Sequence, residues 1–144
     1  MRIIIDANVY VSGWIENETH SAVTNNFFEY LQSSPHIVLL SRMSACEVMN
    51  VLMRAGSAEK KVFSFIQELF YSASSILQLS SDFEQIFFSF YGALKLKTLD
   101  VMILLTAWSE AEVLITWDKI LLREGKRIMT IMTPDEFLSK YAKK

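Results

Sequence analysis

Two short runs of mainly aliphatic residues, RIII at residues 2–5 and VLITW at residues 113–117, each lead straight into an aspartate, Asp6 and Asp118. Runs this short and this apolar read as buried β-strands rather than helices or loops. A carboxylate closing a buried strand is costly to desolvate unless something pairs it. Two further acids sit in apolar surroundings, Glu47 in SACEVMNVL and Asp100 in LKTLDVMILL. Acids gathered at one sheet edge would repel each other unless a cation stood among them, so a divalent-metal site is the first expectation.

The segments between these runs carry helical spacing. Residues 6–8 read as the exit loop of the first strand and residues 13–17 as a second loop. Thr19 would cap a helix carrying Phe27, Phe28, Tyr30 and Leu31, which Ser33-Ser34-Pro35 stops. Residues 37–40 form a second strand. Val48, Val51, Leu52 and Ala55 place a helix over residues 43–54, ended by Gly56. Ser57 would cap the next helix, whose apolar stripe is Val62, Phe63, Ile66, Leu69 and Phe70. A strand over residues 76–79 precedes a helix from Ser81 with Phe83, Ile86, Phe87, Phe90 and Leu94 inward. Another helix covers residues 98–111.

Residues 113–116 are then a strand, residues 120–123 a helical turn, and residues 128–132 the last strand. Thr133-Pro134-Asp135-Glu136 is a complete helix start, with Thr133 as cap, Pro134 first and Glu136 set for a capping box. Lys140, Lys143 and Lys144 suit the end of that helix. Strands alternating with helices predict an α/β fold, a three-layer α/β/α domain around a central, mainly parallel sheet. With 144 residues and no linker, repeat or low-complexity stretch, a single domain over residues 1–144 is expected.

Composition narrows the function classes. The hydrophobic fraction of 51% fits a globular chain rather than a disordered one. The longest apolar run, residues 101–108, falls well short of the roughly 18–20 residues of a membrane span. MRIII is cut off by Asp6 and does not read as a signal peptide. The lone cysteine, Cys46, excludes an internal disulfide, fits a cytoplasmic setting and reads as a small buried residue. A net charge of −2 shows no basic excess for nucleic acid. Clustered acids around a divalent ion would themselves consume negative charge, so the mild acidity weighs little against a phosphate substrate.

Each acid also has an ordinary reading. Asp6 and Asp118 fall at strand ends, where open parallel sheets bind ligands, but a lone aspartate there is more often a turn or cap residue. Asp100, in the first turn of its helix, would meet the helix dipole favourably. Glu47 is bounded by buried positions, and Asn50 shares its helix face. Asn8 could orient Asp6 or bind a metal-bound water; Asn8 and Ser12 could equally be plain loop residues. Glu16, Glu18, Glu59, Glu68, Glu84, Glu110 and Glu112 read as solvated. His20, His36 and Cys46 lack zinc-ligand spacing, and no phosphate-binding glycine pattern occurs.

Taken in order, these segments resemble the PIN-domain nucleases. IIIDANVYVSG is similar to the family's opening strand and first acid, SACEVMNVL to the helix with its glutamate, and LDVMILLTAWSEAEVLITWDK to the segment with the third and fourth acids. Thr116 and Asp118 match its Thr-x-Asp, and IMTPDEFL resembles the close of VapC-like toxin components of toxin–antitoxin pairs. Ala111-Glu112 departs from the family's usual Gly-Ala. The resemblance implies that Asp6, Asp100 and Asp118 hold Mg2+ or Mn2+, with Glu47 completing an acidic catalytic pocket. Asn8, Ser12, Asn50 and Thr116 would support it. It further implies metal-dependent hydrolysis of RNA phosphodiesters, an antitoxin partner and a homodimer, the Phe-rich residues 62–91 serving as core or as interface.

Other classes compete. A phosphatase of the haloacid-dehalogenase type also opens on a strand-end aspartate, but uses a second acid where this chain has Asn8. A phospho-acceptor receiver domain would need an acidic pair and a lysine unsupported here. A PIN-like module that binds RNA or protein without cutting keeps the fold and drops the turnover.

Overall fold

The computed structural model describes residues 1–15, 18–78, 83–90 and 93–142. Its strands are β1 (Arg2–Ile5), β2 (Ile37–Ser41), β3 (Ser75–Leu77), β4 (Val113–Ile115) and β5 (Ile131–Met132). The helices are α1 (Ala7–Trp14), α2 (Ser21–Ser33), α3 (Arg42–Arg54), α4 (Glu59–Ser72), α5 (Phe83–Phe90), α6 (Thr98–Glu110), α7 (Lys119–Gly125) and α8 (Pro134–Tyr141). The strands form one sheet in the order β3-β2-β1-β4-β5. Every pairing is parallel.

Side-chain alternation along the strands divides the core into two layers. Ile3, Ile5, Leu40, Val113 and Ile115 pack on one face with Val9, Phe27, Val48, Leu52, Val62 and Phe137, from α1, α2, α3, α4 and α8. Ile4, Leu39, Leu114 and Ile131 pack on the other with Ile103, Leu104, Ala107 and Leu121 of α6 and α7. Helices thus cover both faces, which is why the strands are apolar on both sides. All C-terminal strand ends share one edge of this sheet, where β1, β2 and β4 hand over to α1, α3 and α7.

Several expected boundaries shift. The exit loop at residues 6–8 is absent because Asp6 caps α1 directly, and α1 runs through Gly13 to Trp14. His20 rather than Thr19 occupies the cap of α2, with no side-chain capping bond. Ala58 rather than Ser57 occupies that of α4. Gly56, at φ 80°, stops α3 in a conformation that side chains with a Cβ rarely adopt. The last strand is only Ile131–Met132. The capping box of Thr133 and Glu136 forms as expected. Cys46 is exposed rather than buried. Glu110 and Glu112 engage Arg2: its guanidinium donates to Glu110 at 3.2 Å and its backbone N–H to Glu112 at 2.7 Å. The expected positions Glu16, Leu79, Ser81, Lys143 and Lys144, and the side chains of Phe83, Glu84 and Ile86, lie outside the described residues.

Candidate active site

The register of β1 against β4 builds the centre of the site. Ile3, Ile4 and Ile5 pair with Val113, Leu114 and Ile115, and the Asp6 N–H donates to the Ile115 carbonyl at 2.9 Å. One step on, Asp6 therefore stands abreast of Thr116. The Thr116 hydroxyl donates to Asp6 Oδ2 at 2.7 Å, and Asn8 Nδ2 donates to the same oxygen at 2.8 Å. Ala7 N–H donates to Oδ1 at 2.7 Å. A carboxylate offers about four acceptor positions; the fourth, on Oδ1, is left for another donor or a cation.

Asn8 ties the two strand ends together. Besides Asp6, its Nδ2 donates to Thr116 Oγ1 at 3.0 Å, while its Oδ1 accepts from the Trp117 backbone N–H at 3.0 Å. Thr116 Oγ1 accepts in turn from the Asp118 N–H at 3.0 Å. An acid at position 8 would replace these donations with repulsion, and the amide found there removes the second carboxylate that the phosphatase chemistry uses. Asp118 caps α7: its Oδ1 accepts from Ile120 N–H at 2.7 Å and Leu121 N–H at 2.8 Å. Its Oδ2 accepts no bond among the described residues.

Glu47, on the second turn of α3, and Asp100, on the first turn of α6, are half-buried. Electrostatics links them to the strand ends. Asp6, 7% exposed, has its carboxyl raised to about 6, chiefly by burial and further by the charges of Glu47 and Asp100; bonds from Thr116 and Ala7 oppose this. The Glu47 carboxyl is raised by burial and by Asp100, against the Lys97 ammonium. The Asp100 carboxyl is raised by burial and by Asp118, against the backbone and ammonium of Lys97. The four acids therefore share one electrostatic neighbourhood. Among the described residues, no three acids, histidines or cysteines stand close enough together to hold a metal ion between them. The donors fit Mg2+ or Mn2+ nonetheless, because such ions take hard oxygen ligands, keep several waters and often use only one or two carboxylates.

The remaining expected residues lie further out. Ser12 is buried. Its hydroxyl donates to the Val9 carbonyl at 3.0 Å and shares a 2.8 Å bond with Thr24 Oγ1. Asn50 is exposed on α3. Trp117 and His20 escape the sequence reading. Trp117 Nε1 donates to Thr24 Oγ1 at 3.0 Å and to Ser12 Oγ at 3.2 Å. The His20 ring lies on the indole, centroids 4.0 Å apart and planes 13° from parallel. A tryptophan wedged between Thr116 and Asp118 was the available signal for the first. Nothing in the sequence marks a histidine so far upstream as its partner.

The family model described as PIN domain matches residues 3–128. No curated protein sequence matches the chain. Among solved structures, VapC20 of Mycobacterium tuberculosis, described as a sarcin-ricin loop cleaving toxin, superposes with a TM-score of 0.69 at 11% identity, covering 84% of this chain and 93% of that one. VapBC2 of Rickettsia felis, bound to a fragment of its promoter DNA, gives 0.69 at 17% identity over 92% and 98%. VapBC-1 of nontypeable Haemophilus influenzae gives 0.70 at 17% over 94% and 99%. At these identities the superpositions establish the fold.

Proposed function

Because the chain belongs to the PIN domain family, we propose that it is a metal-dependent endoribonuclease, the toxin of a toxin–antitoxin pair, that hydrolyses RNA phosphodiester bonds at the acidic edge. The observation carrying this reading is the gathering of buried and half-buried acids at one sheet edge: burial first, and then a neighbouring acid, holds Asp6, Glu47 and Asp100 each above the ordinary carboxylate range. Such an arrangement opposes folding on its own and makes sense at a cation site.

Asp6, Asp100 and Asp118 would hold Mg2+ or Mn2+, and Glu47 would complete the pocket. When bound, the ion lowers the pKa of water and offsets charge building on the phosphoryl oxygens. The chain's own residues supply orientation. Thr116 and Asn8 hold Asp6 Oδ2 in place, leaving a position on Oδ1 free. The two N–H bonds from α7 fix Asp118 Oδ1 and leave Oδ2 free. Glu47, whose carboxyl is raised by burial and by Asp100, would orient the attacking water. The Lys97 ammonium, close enough to act on both Glu47 and Asp100, offsets part of the repulsion between acids and phosphate.

A cognate antitoxin protein and a second copy of the chain are the partners this reading implies; structures of VapBC proteins among its neighbours support the first. A second reading, a PIN-like module that holds RNA or protein without cutting, draws on the absence, among the described residues, of any three acids, histidines or cysteines grouped closely enough to hold a metal ion. Incubating single-stranded RNA with the protein and Mg2+ or Mn2+, beside Asp6→Asn, separates the two. Cleavage by wild type alone supports the nuclease; equal cleavage by both proteins would trace it to a contaminant.

A further inference from the structure

We propose that His20, held flat on Trp117, is the platform on which a nucleobase next to the scissile phosphate stacks, and so sets base preference; this rests on the ribonuclease reading above. The pair is tied to the acids through a short chain of contacts. The Trp117 N–H donates to Asn8 Oδ1 at 3.0 Å, and Asn8 Nδ2 donates to Asp6 Oδ2 at 2.8 Å. The indole N–H is fixed by Thr24 Oγ1 at 3.0 Å and Ser12 Oγ at 3.2 Å. These bonds set the plane of the indole relative to Asp6, and hence the plane of the imidazole lying 4.0 Å from it.

Local structure gives the side chain of His20 no other task, while its backbone N–H donates to Glu18 Oε2 at 2.8 Å. His20 occupies the cap of α2 without making a capping bond, where serine, aspartate or asparagine would stabilise the helix better. Its ring nitrogens have no hydrogen-bond partner among the described residues, and Trp117 is the one aromatic ring against it there. The residue stays partly exposed. A partly exposed ring with one face on a fixed indole has its opposite face to offer a base, as aromatic and histidine side chains do in single-stranded RNA recognition.

The test compares wild type, His20→Ala and His20→Phe, after thermal unfolding confirms that each folds. Each is given a randomised single-stranded RNA pool with Mn2+, and the bases flanking each cut are read together with KM and kcat. Binding of labelled oligo(A), oligo(C), oligo(G) and oligo(U) RNA is measured in parallel on the Asp100→Asn background. Loss of one stack predicts that His20→Ala raises KM and Kd on the order of tenfold, with kcat nearly unchanged and the preference at one flanking base flattened. His20→Phe retains both affinity and preference. Unchanged KM, Kd and cut profile in His20→Ala would overturn the platform. So would His20→Phe failing as badly as alanine, since the ring nitrogens and not the stack would then matter. A wild type that binds RNA in a His20-dependent way without cutting it leaves the platform standing and removes the hydrolase; one that neither binds nor cuts removes both.

Discussion

Acids sit at helix starts near the middle of the sheet's C-terminal edge and again at its end, where β5 hands over to α8, and the two groups meet opposite neighbours. Glu136 is satisfied twice: it accepts from the Thr133 N–H at 3.0 Å and pairs with Lys126 at 3.5 Å. Asp118 caps α7 just as well, but its charge falls on Asp100. Asp6 caps α1 while facing Glu47 and Asp100. Capping geometry therefore does not distinguish a structural acid from a chemical one. The distinction lies in the tertiary neighbour, a lysine alone in one region and, in the other, further carboxylates that Lys97 offsets only in part. The first arrangement suits the folded state as it stands, and the second opposes it.

Removing a site acid gives the largest expected effect. Asp6→Asn should lower RNA cleavage by roughly three orders of magnitude or more, read as initial rate with Mn2+, whereas Glu136→Gln should leave the rate within about twofold. A Glu136→Gln protein as inactive as Asp6→Asn would erase the contrast between the two regions. Next come the residues that orient Asp6. Thr116→Val removes the 2.7 Å donation to Oδ2 and should cost roughly 10- to 100-fold in rate or Mn2+ affinity, measured by metal titration of activity.

Stability sharpens the comparison in the opposite sense. The folded carboxyl of Asp6 is raised to about 6, above the ordinary aspartate value of about 4. Between these values the folded chain binds more protons there than the unfolded chain, so stability falls as pH rises from about 4 to about 6 and is flat above. Without divalent ions the loss is on the order of 2–3 kcal/mol, and Glu47 and Asp100, raised as well, act in the same direction. Urea unfolding at pH 4.5 and 7.5 in EDTA should show this slope in wild type and a smaller one in Asp6→Asn; adding Mn2+ at pH 7.5 should restore wild type alone. The smallest effect belongs to α8. Thr133→Ala should cost about 1 kcal/mol by the same unfolding measurement, with RNA cleavage unchanged.

Much of this arrangement was legible in the sequence because it depends on local rules. Strand runs ending in Asp6 and Asp118, the parallel sheet and the α8 capping box all follow from periodicity and helix-start chemistry. What escaped depends on partners distant in the chain. Asp6 starts a helix at once because its own carboxylate caps Ala7, which removes the expected loop. Thr19 and Ser57 are residue types that favour caps, yet α2 starts after His20 and α4 after Ala58, neither making a side-chain capping bond. Cys46 was read as buried from its residue type, yet it lies on the outer side of α3, where Ala45 and Val48 take the core positions. Ser12, read as a supporting residue of the site, bonds Thr24 and Trp117, partners that its local sequence does not reveal. The His20–Trp117 stack joins positions with no periodic relation, so no pattern could announce it.

Diffraction from crystals soaked in Mn2+ and recorded at the manganese absorption edge addresses the central claim most directly. The account predicts an anomalous peak about 2–2.5 Å from carboxylate oxygens of at least two among Asp6, Asp100 and Asp118, absent in Asp6→Asn crystals treated alike. A well-occupied peak elsewhere, or none at this edge with the protein active on RNA, would contradict it.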